Sequence, residues 1–213
     1  MRIQTIPVTA FEQNCSLLIC EDSAQAALVD PGGEPERLLD AVQQAGVTLQ
    51  KIFLTHGHFD HIGAAGQIAR ELSIPIEGPH ADDAFLLQTL PQWCEQFGFP
   101  AGEVFVPDRW LQQGEQVRFG EQILDVHHCP GHTPGHVVFA HRDARSALVG
   151  DVIFRGSIGR TDFPRGDHAT LLRSIRERIW PLGDDVTLFP GHGPTTTVGE
   201  ERVHNPFVKG RYG

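Results

Sequence analysis

Short apolar runs broken by Pro, Gly and Asp dominate the start of the chain. Residues 2–8, 15–20 and 26–30 fit this pattern and predict three strands. Asp30-Pro31-Gly32-Gly33 then breaks the sheet. From Glu34 the spacing changes: Leu38, Leu39, Val42 and Ala45 recur at helical intervals, and Gly46 stops them. Residues 51–55 read as another buried strand, 62–72 as a second helix and 81–90 as a third. Residues 91–110 read as a loop. Its aromatics, Trp93, Phe97, Phe99 and Phe105, are expected to fill the core, with a cofactor box as the alternative. Strands return at 117–119, 122–127, 136–141 and 147–150, a long amphipathic helix covers 169–180, and a last strand covers 186–189. Two successive strand-then-helix halves predict a layered α/β domain with the sheet inside.

Length changes this picture little. At a soft prior of ~150 residues per domain, the 213 residues read as one domain, 1–213, with long loops. Charge excludes more. Seventeen basic against 27 acidic residues give −10, the opposite of a nucleic-acid-binding footprint. Cys15, Cys20, Cys94 and Cys129 form no CxxC pair and read as reduced, buried thiols, as expected in the cytoplasm. No apolar stretch of signal-peptide length opens the chain, and the run 15–20 is far below the ~20 residues that span a bilayer.

The unusual figure is histidine, 12 residues against a single tyrosine. Directly after a predicted strand stands His56-Gly57-His58-Phe59-Asp60-His61. Alternate positions of an extended turn point the same way, so His56 and His58 can grip one ion while Asp60 and His61 face a neighbouring site. Imidazole and carboxylate suit zinc, manganese or iron. The strand-then-glycine-turn pattern recurs at His132 in Pro130-Gly131-His132-Thr133-Pro134-Gly135-His136, at Asp151 in Val149-Gly150-Asp151 and at His192 in Pro190-Gly191-His192-Gly193. Together these make seven ligand candidates, about what two metals need if positions stay open for water and substrate.

This order of motifs resembles the metallo-β-lactamase superfamily along essentially the whole chain. The resemblance implies a four-layer αββα sandwich with metals held in loops at one sheet edge. His56, His58 and His132 would hold the first ion, Asp60, His61 and His192 the second, and Asp151 would bridge them. Asp60 and Asp151 would be the catalytic carboxylates. Asp30 is either a carboxylate steadying the ligand loops or an ordinary turn aspartate. A bridging aspartate at 151, where β-lactamases proper carry a cysteine or a differently placed group, argues against antibiotic hydrolysis.

The tract Gly150-Asp151-Val152-Ile153-Phe154-Arg155-Gly156-Ser157-Ile158-Gly159-Arg160 and the later Asn205-Pro206-Phe207 are similar to glyoxalase II, closest to its short bacterial hydroxyacylglutathione hydrolases. That implies hydrolysis of a glutathione thioester such as S-lactoylglutathione, and methylglyoxal detoxification in the cytoplasm. It also implies two divalent ions, zinc first with iron or manganese as alternatives, in a monomer or small homo-oligomer. Bound water on such an ion has a pKa of about 7, so no Ser or Cys nucleophile is required, and Cys129 reads as a core thiol. Arg160 either meets a glutathione carboxylate or is a surface arginine. The longer enzymes hold glutathione with basic residues and tyrosines of a C-terminal helical domain. Here the chain ends at Gly213 and the only tyrosine is Tyr212, which predicts weaker or less selective substrate binding.

The main rival is a mononuclear-iron glutathione persulfide dioxygenase. Its signature is similar to Arg155-Gly156 and Gly159-Arg160-Thr161-Asp162-Phe163, and it uses only the His56, His58, His132 and Asp151 side. Asn205-Pro206-Phe207 favours the hydrolase. The charge disfavours a ribonuclease, and the open positions disfavour a non-catalytic metal sensor. His80, His127, His128, His141, His168 and His204 read as ordinary histidines, and His136 as a further candidate for supporting the site.

Overall fold

Strand alternation sets the layering in the computed structural model, which describes residues 1–208. Strands β1 (Arg2–Val8), β2 (Gln13–Cys20) and β3 (Gln25–Val29) pair antiparallel. Strands β4 (Thr48–Phe53) and β5 (Ile76–Glu77) extend this sheet in parallel. Along β2, Cys15, Leu17 and Ile19 enter one apolar cluster, while Leu18 and Cys20 enter another on the opposite face.

Helices close the first of these clusters. They are α1 (Pro35–Ala45), α2 (Phe59–Ile62), α3 (Ala65–Leu72), α4 (Ala84–Gln88) and α5 (Leu90–Phe97), contributing Leu38, Ile62, Ile68, Leu87 and Leu90. The opposite face meets a second sheet, built from β6 (Gln116–Phe119), β7 (Gln122–His128), β8 (Val137–His141) and β9 (Ser146–Gly150). Between the sheets Phe53 packs on Phe119 and Phe139, with ring centroids 6.4 and 5.5 Å apart. A hairpin of β10 (Ile153–Phe154) and β11 (Ser157–Ile158) stands apart. After α6 (His168–Ser174), the strands β12 (Thr187–Pro190) and β13 (Thr196–Thr197) complete the second sheet in the order β13-β12-β9-β8-β7-β6. The final helix is α7 (Val198–His204). Leu171, Ile175 and Ile179 cover the outer face of this sheet, so the layers run α-β-β-α, as the resemblance implied.

Three sequence expectations are corrected. The helix expected at 62–72 is split into α2 and α3 around Gly63. A Cβ on Gly63 would meet the carbonyl oxygen of Gly32 at 2.5 Å, so the chain turns where only glycine fits. The loop expected at 91–110 begins with α5, because Pro91 sits in the first turn of that helix, where its missing N–H costs nothing. The helix expected at 169–180 changes after Ser174 into a wider π-type turn, Ile175–Ile179, which buries Ile175 and Ile179 against the second sheet. Phe99 and Phe105 pack on the first core as expected, whereas Phe97 is 45% exposed. Tyr212 lies outside the described residues. Among those described, no helix is long and apolar enough to cross a membrane.

Candidate metal centre

Every candidate ligand loop leaves the C-terminal end of a strand at one edge of the two sheets. Asp30 follows β3, His56 to His61 follow β4, His132 follows β7, Asp151 follows β9 and His192 follows β12. All seven ligands expected from sequence are brought together there. Nε2 of His56 and Nε2 of His132 lie 3.1 and 2.9 Å from Nδ1 of His58. Nε2 of His192 lies 3.3 Å from Oδ2 of Asp60, and Nε2 of His61 lies 3.9 Å from the same oxygen. Asp151 stands between the two groups, with Oδ1 3.4 Å from Nε2 of His61 and Oδ2 3.5 Å from Nε2 of His132.

The imidazole partners decide which nitrogens are free. His132 donates from Nδ1 to the carbonyl of Arg160 at 2.7 Å, His61 to Oδ2 of Asp30 at 2.9 Å and His192 to the carbonyl of Phe11 at 3.1 Å. His56 donates from Nδ1 to the Thr55 hydroxyl at 3.0 Å, and that hydroxyl passes its own hydrogen to Oδ2 of Asp30 at 2.5 Å. In the neutral tautomers that these partners assign, four Nε2 atoms would present lone pairs to the centre. Burial, reinforced by neighbouring imidazoles, holds His56, His58 and His132 below the ordinary histidine pKa, so they are neutral at pH 7.

The donor set fits metal ions. His58 has at most one hydrogen on Nδ1, so at most one of its two close nitrogen contacts can be a linear hydrogen bond and at least one facing Nε2 lone pair is left unsatisfied. Nε2 of His61 and Oδ1 of Asp151 are buried without any hydrogen-bond partner. Such orphaned polar atoms cost about 1–3 kcal/mol each unless something else satisfies them. Two groups of donor atoms, His56/His58/His132 and Asp60/His61/His192, are each compact enough to hold one cation.

Carboxylates dominate the second group. Burial opposes both shifts, yet Asp151 and Asp60 push His61 up to about 9, and Asp60 raises His192. Asp60 in turn is held well below the usual carboxylate range: burial opposes this, and His61 and His192 outweigh it.

Supporting residues surround this centre. Asp30 is 2% exposed and resolves towards the loop-steadying alternative, since it also accepts from the Thr55 amide at 2.7 Å. Its φ of 53° lies in the left-handed region, which aspartate tolerates better than most residues. His136 stacks on His56 at 4.7 Å, and its Nε2 accepts from the Asp151 amide at 3.0 Å. Sequence reasoning missed Asp83, which is fully buried and accepts from Gly57 N (3.0 Å), Thr133 Oγ1 (2.8 Å) and Gly135 N (2.6 Å). It ties the first histidine loop to the second. No local signal marks it, because its partners are 26 and about 50 residues away. Asn205, part of the motif that resembles glyoxalase II, is buried and donates to the Ser157 carbonyl at 2.8 Å, bracing the β10–β11 hairpin. Cys129 is buried in the outer core and burial pushes its thiol up, as a core thiol requires.

A cavity of about 720 Å³ opens over the centre, lined by His58, Asp60, His132, Asp151 and His192. Arg160 lies on its rim. Its guanidinium makes two bonds to Asp162, at 2.9 and 2.7 Å, and sits 4.5 Å over the Phe163 ring.

An αββα sandwich with a paired His/Asp centre at its loop edge defines a class of metal-dependent enzymes. The chain belongs to the metallo-beta-lactamase superfamily, whose family model matches residues 8–192. It is 47% identical to the hydroxyacylglutathione hydrolase GloC of Haemophilus influenzae, over 99% of this chain and 100% of that one. The human mitochondrial persulfide dioxygenase is 32% identical over 89% of this chain and 69% of its own. Among solved structures, the BLEG-1 B3 metallo-beta-lactamase superposes with a TM-score of 0.91 at 36% identity, covering 98% and 100% of the two chains. The di-iron-bound form of TTHA1623 superposes with a TM-score of 0.87 at 35% identity, covering 96% and 99%.

Proposed function

We propose that the chain, acting as one domain, is a dinuclear-metal hydrolase that cleaves glutathione thioesters such as S-lactoylglutathione to a hydroxy acid and a free thiol. The observation that carries this reading is Asp151, whose two oxygens face His61 and His132 of separate donor groups at 3.4 and 3.5 Å. A bridging carboxylate suits a site that works with both ions. The 47% identity to a hydroxyacylglutathione hydrolase supports the substrate class.

His56, His58 and His132 would hold one ion and Asp60, His61 and His192 the other, with Asp151 between them. Zinc is the first choice, with iron or manganese as alternatives. Bound ions would supply a water that ionises near pH 7 and a Lewis acid for the thioester carbonyl. The chain's own residues do the rest. Asp60 stays ionised and, with Asp151, offers carboxylate oxygens that orient the attacking water from the cavity floor. The aromatic walls keep bulk water from the thioester. Arg160, among the described residues the one arginine or lysine lining the cavity, is placed to meet a glutathione carboxylate. Thiolate is a good leaving group, so no buried acid is needed. The setting is cytoplasmic methylglyoxal detoxification by a monomer or small homo-oligomer.

Similarity to the persulfide dioxygenase supports a second reading with one iron. One experiment separates them: count metals per purified chain, then assay thioester cleavage beside oxygen uptake with glutathione persulfide and hydrolysis of a β-lactam. Two metals with thiol release support the hydrolase. One iron with oxygen consumption, or turnover of the β-lactam alone, overturns it.

A further inference from the structure

The cavity over the metal centre has two unlike sides. One is aromatic: Phe11, Phe59, Trp93 and Phe97 line it together. These rings pack on one another, Phe59 on Phe97 at 5.1 Å and 10°, Phe11 edge-on to Phe97 at 6.0 Å, and Trp93 on Phe97 at 6.1 Å. The other side carries the polar groups Arg160 and Ser157, set among Phe154, Ile158 and Phe163. Phe11 and Phe97 remain 44% and 45% exposed, large apolar surfaces left uncovered at the mouth of a cavity. Clustered exposed apolar surface of this kind marks a binding site. The wall joins the metal centre directly, since Phe59 stands between His58 and Asp60 and the Phe11 carbonyl holds His192 at 3.1 Å.

Glutathione has two carboxylates, an ammonium group and two peptide bonds. Beyond the single indole N–H of Trp93 and the attraction of an ammonium for a ring face, four aromatic rings offer the carboxylates and peptide bonds no partner. The part of the substrate that belongs on this wall is therefore the group on the other side of the sulfur. We propose that the aromatic wall selects glutathione thioesters with an apolar acyl group, linear aliphatic or aromatic, over the small hydroxylated lactoyl group. This rests on the thioesterase reading for the identity of the sulfur substituent and replaces lactoylglutathione as that reading's preferred substrate. The glutathione part lies towards Arg160 and Ser157. Each methylene moved from water onto the wall strengthens binding by about 4-fold, to which the usual ~0.8 kcal/mol per buried CH₂ converts.

The test uses two series on the metal-loaded protein. Calorimetry measures binding of the uncleavable thioethers S-methyl-, S-butyl- and S-hexylglutathione. Kinetics measures kcat/KM for lactoyl-, butyryl- and hexanoylglutathione. The expected result is tightening of several-fold per methylene along the first series and a parallel rise along the second. Phe97→Ala and Trp93→Ala should each flatten the thioether trend by about 10-fold at S-hexylglutathione. Equal affinities across the thioethers, or variants that bind S-hexylglutathione as the parent does, overturn the proposal. A preserved binding trend with no thioester cleaved at any chain length leaves the wall's role standing and overturns the hydrolase instead.

Discussion

Asp30 and His61, separated by 31 residues in sequence, share a buried hydrogen bond of 2.9 Å between Oδ2 and Nδ1. The same carboxylate holds the Thr55 amide and hydroxyl, so one residue outside the donor set orients both His56 and His61. Asp30→Asn should therefore leave the fold intact and weaken metal binding by about 10–100-fold, the usual effect of removing such an orienting partner. Metal titration by calorimetry, with circular dichroism as the fold control, checks this.

The two donor groups should load with different pH dependence. His56, His58 and His132 are pushed below the ordinary histidine range by burial, so at neutral pH no proton competes with metal for them. His61 is raised to about 9, so the metal-free protein holds a proton there that an incoming cation must displace, and His192 is shifted in the same direction. Affinity at the Asp60/His61/His192 group should rise with pH up to about 9, by up to tenfold per unit for each proton released. Lowering the pH should empty that group first. Metal content after dialysis across pH 6 to 9 reads the order, and equal loss from both groups contradicts it.

Gly191 gives a steric prediction. A Cβ there would sit 2.5 Å from Cε1 of His61 and closer still to Oδ1 of Asp151. Since real Cβ contacts are not made at such distances, Gly191→Ala must displace one of two groups the centre depends on. The expected outcome is a folded protein with about half the parent's metal content and a loss of activity of at least about 100-fold. Gly193→Ala, where a Cβ meets nothing within 4 Å but φ is +73°, should cost backbone strain alone and keep the parent's metal content.

Asp83 links the loops from the inside. Burial pushes its carboxyl up to about 6, and three donors converge on it. Asp83→Ala would leave the Gly57 and Gly135 amides and the Thr133 hydroxyl without a partner. Destabilisation of about 2–4 kcal/mol is expected, from the cost of unsatisfied buried groups, together with reduced metal content. Denaturant melts of the metal-free and metal-loaded protein separate the two effects: a loss confined to the loaded form would show that Asp83 acts on metal binding alone.

The ligands were readable along the chain for a physical reason. Metal donors belong to few residue types, and the turns that present them need Gly or Pro at fixed offsets, so His56 through His61, His132, Asp151 and His192 stand out locally. The strands were readable too, because strands buried on both faces leave short apolar runs bounded by Pro, Gly and Asp. Only folding could show which nitrogen of each imidazole is free, since that depends on acceptors as distant as the Phe11 carbonyl for His192 and the Arg160 carbonyl for His132. Asp83 was invisible for the same reason. The aromatic wall is the clearest case: Trp93 and Phe97 look like core residues in sequence, because hydrophobicity does not tell a core from a cavity. Pro91 starts a helix there, and that helix holds both rings over the metal centre. Composition and spacing carry the chemistry, while long-range packing decides the geometry in which that chemistry is offered to a substrate.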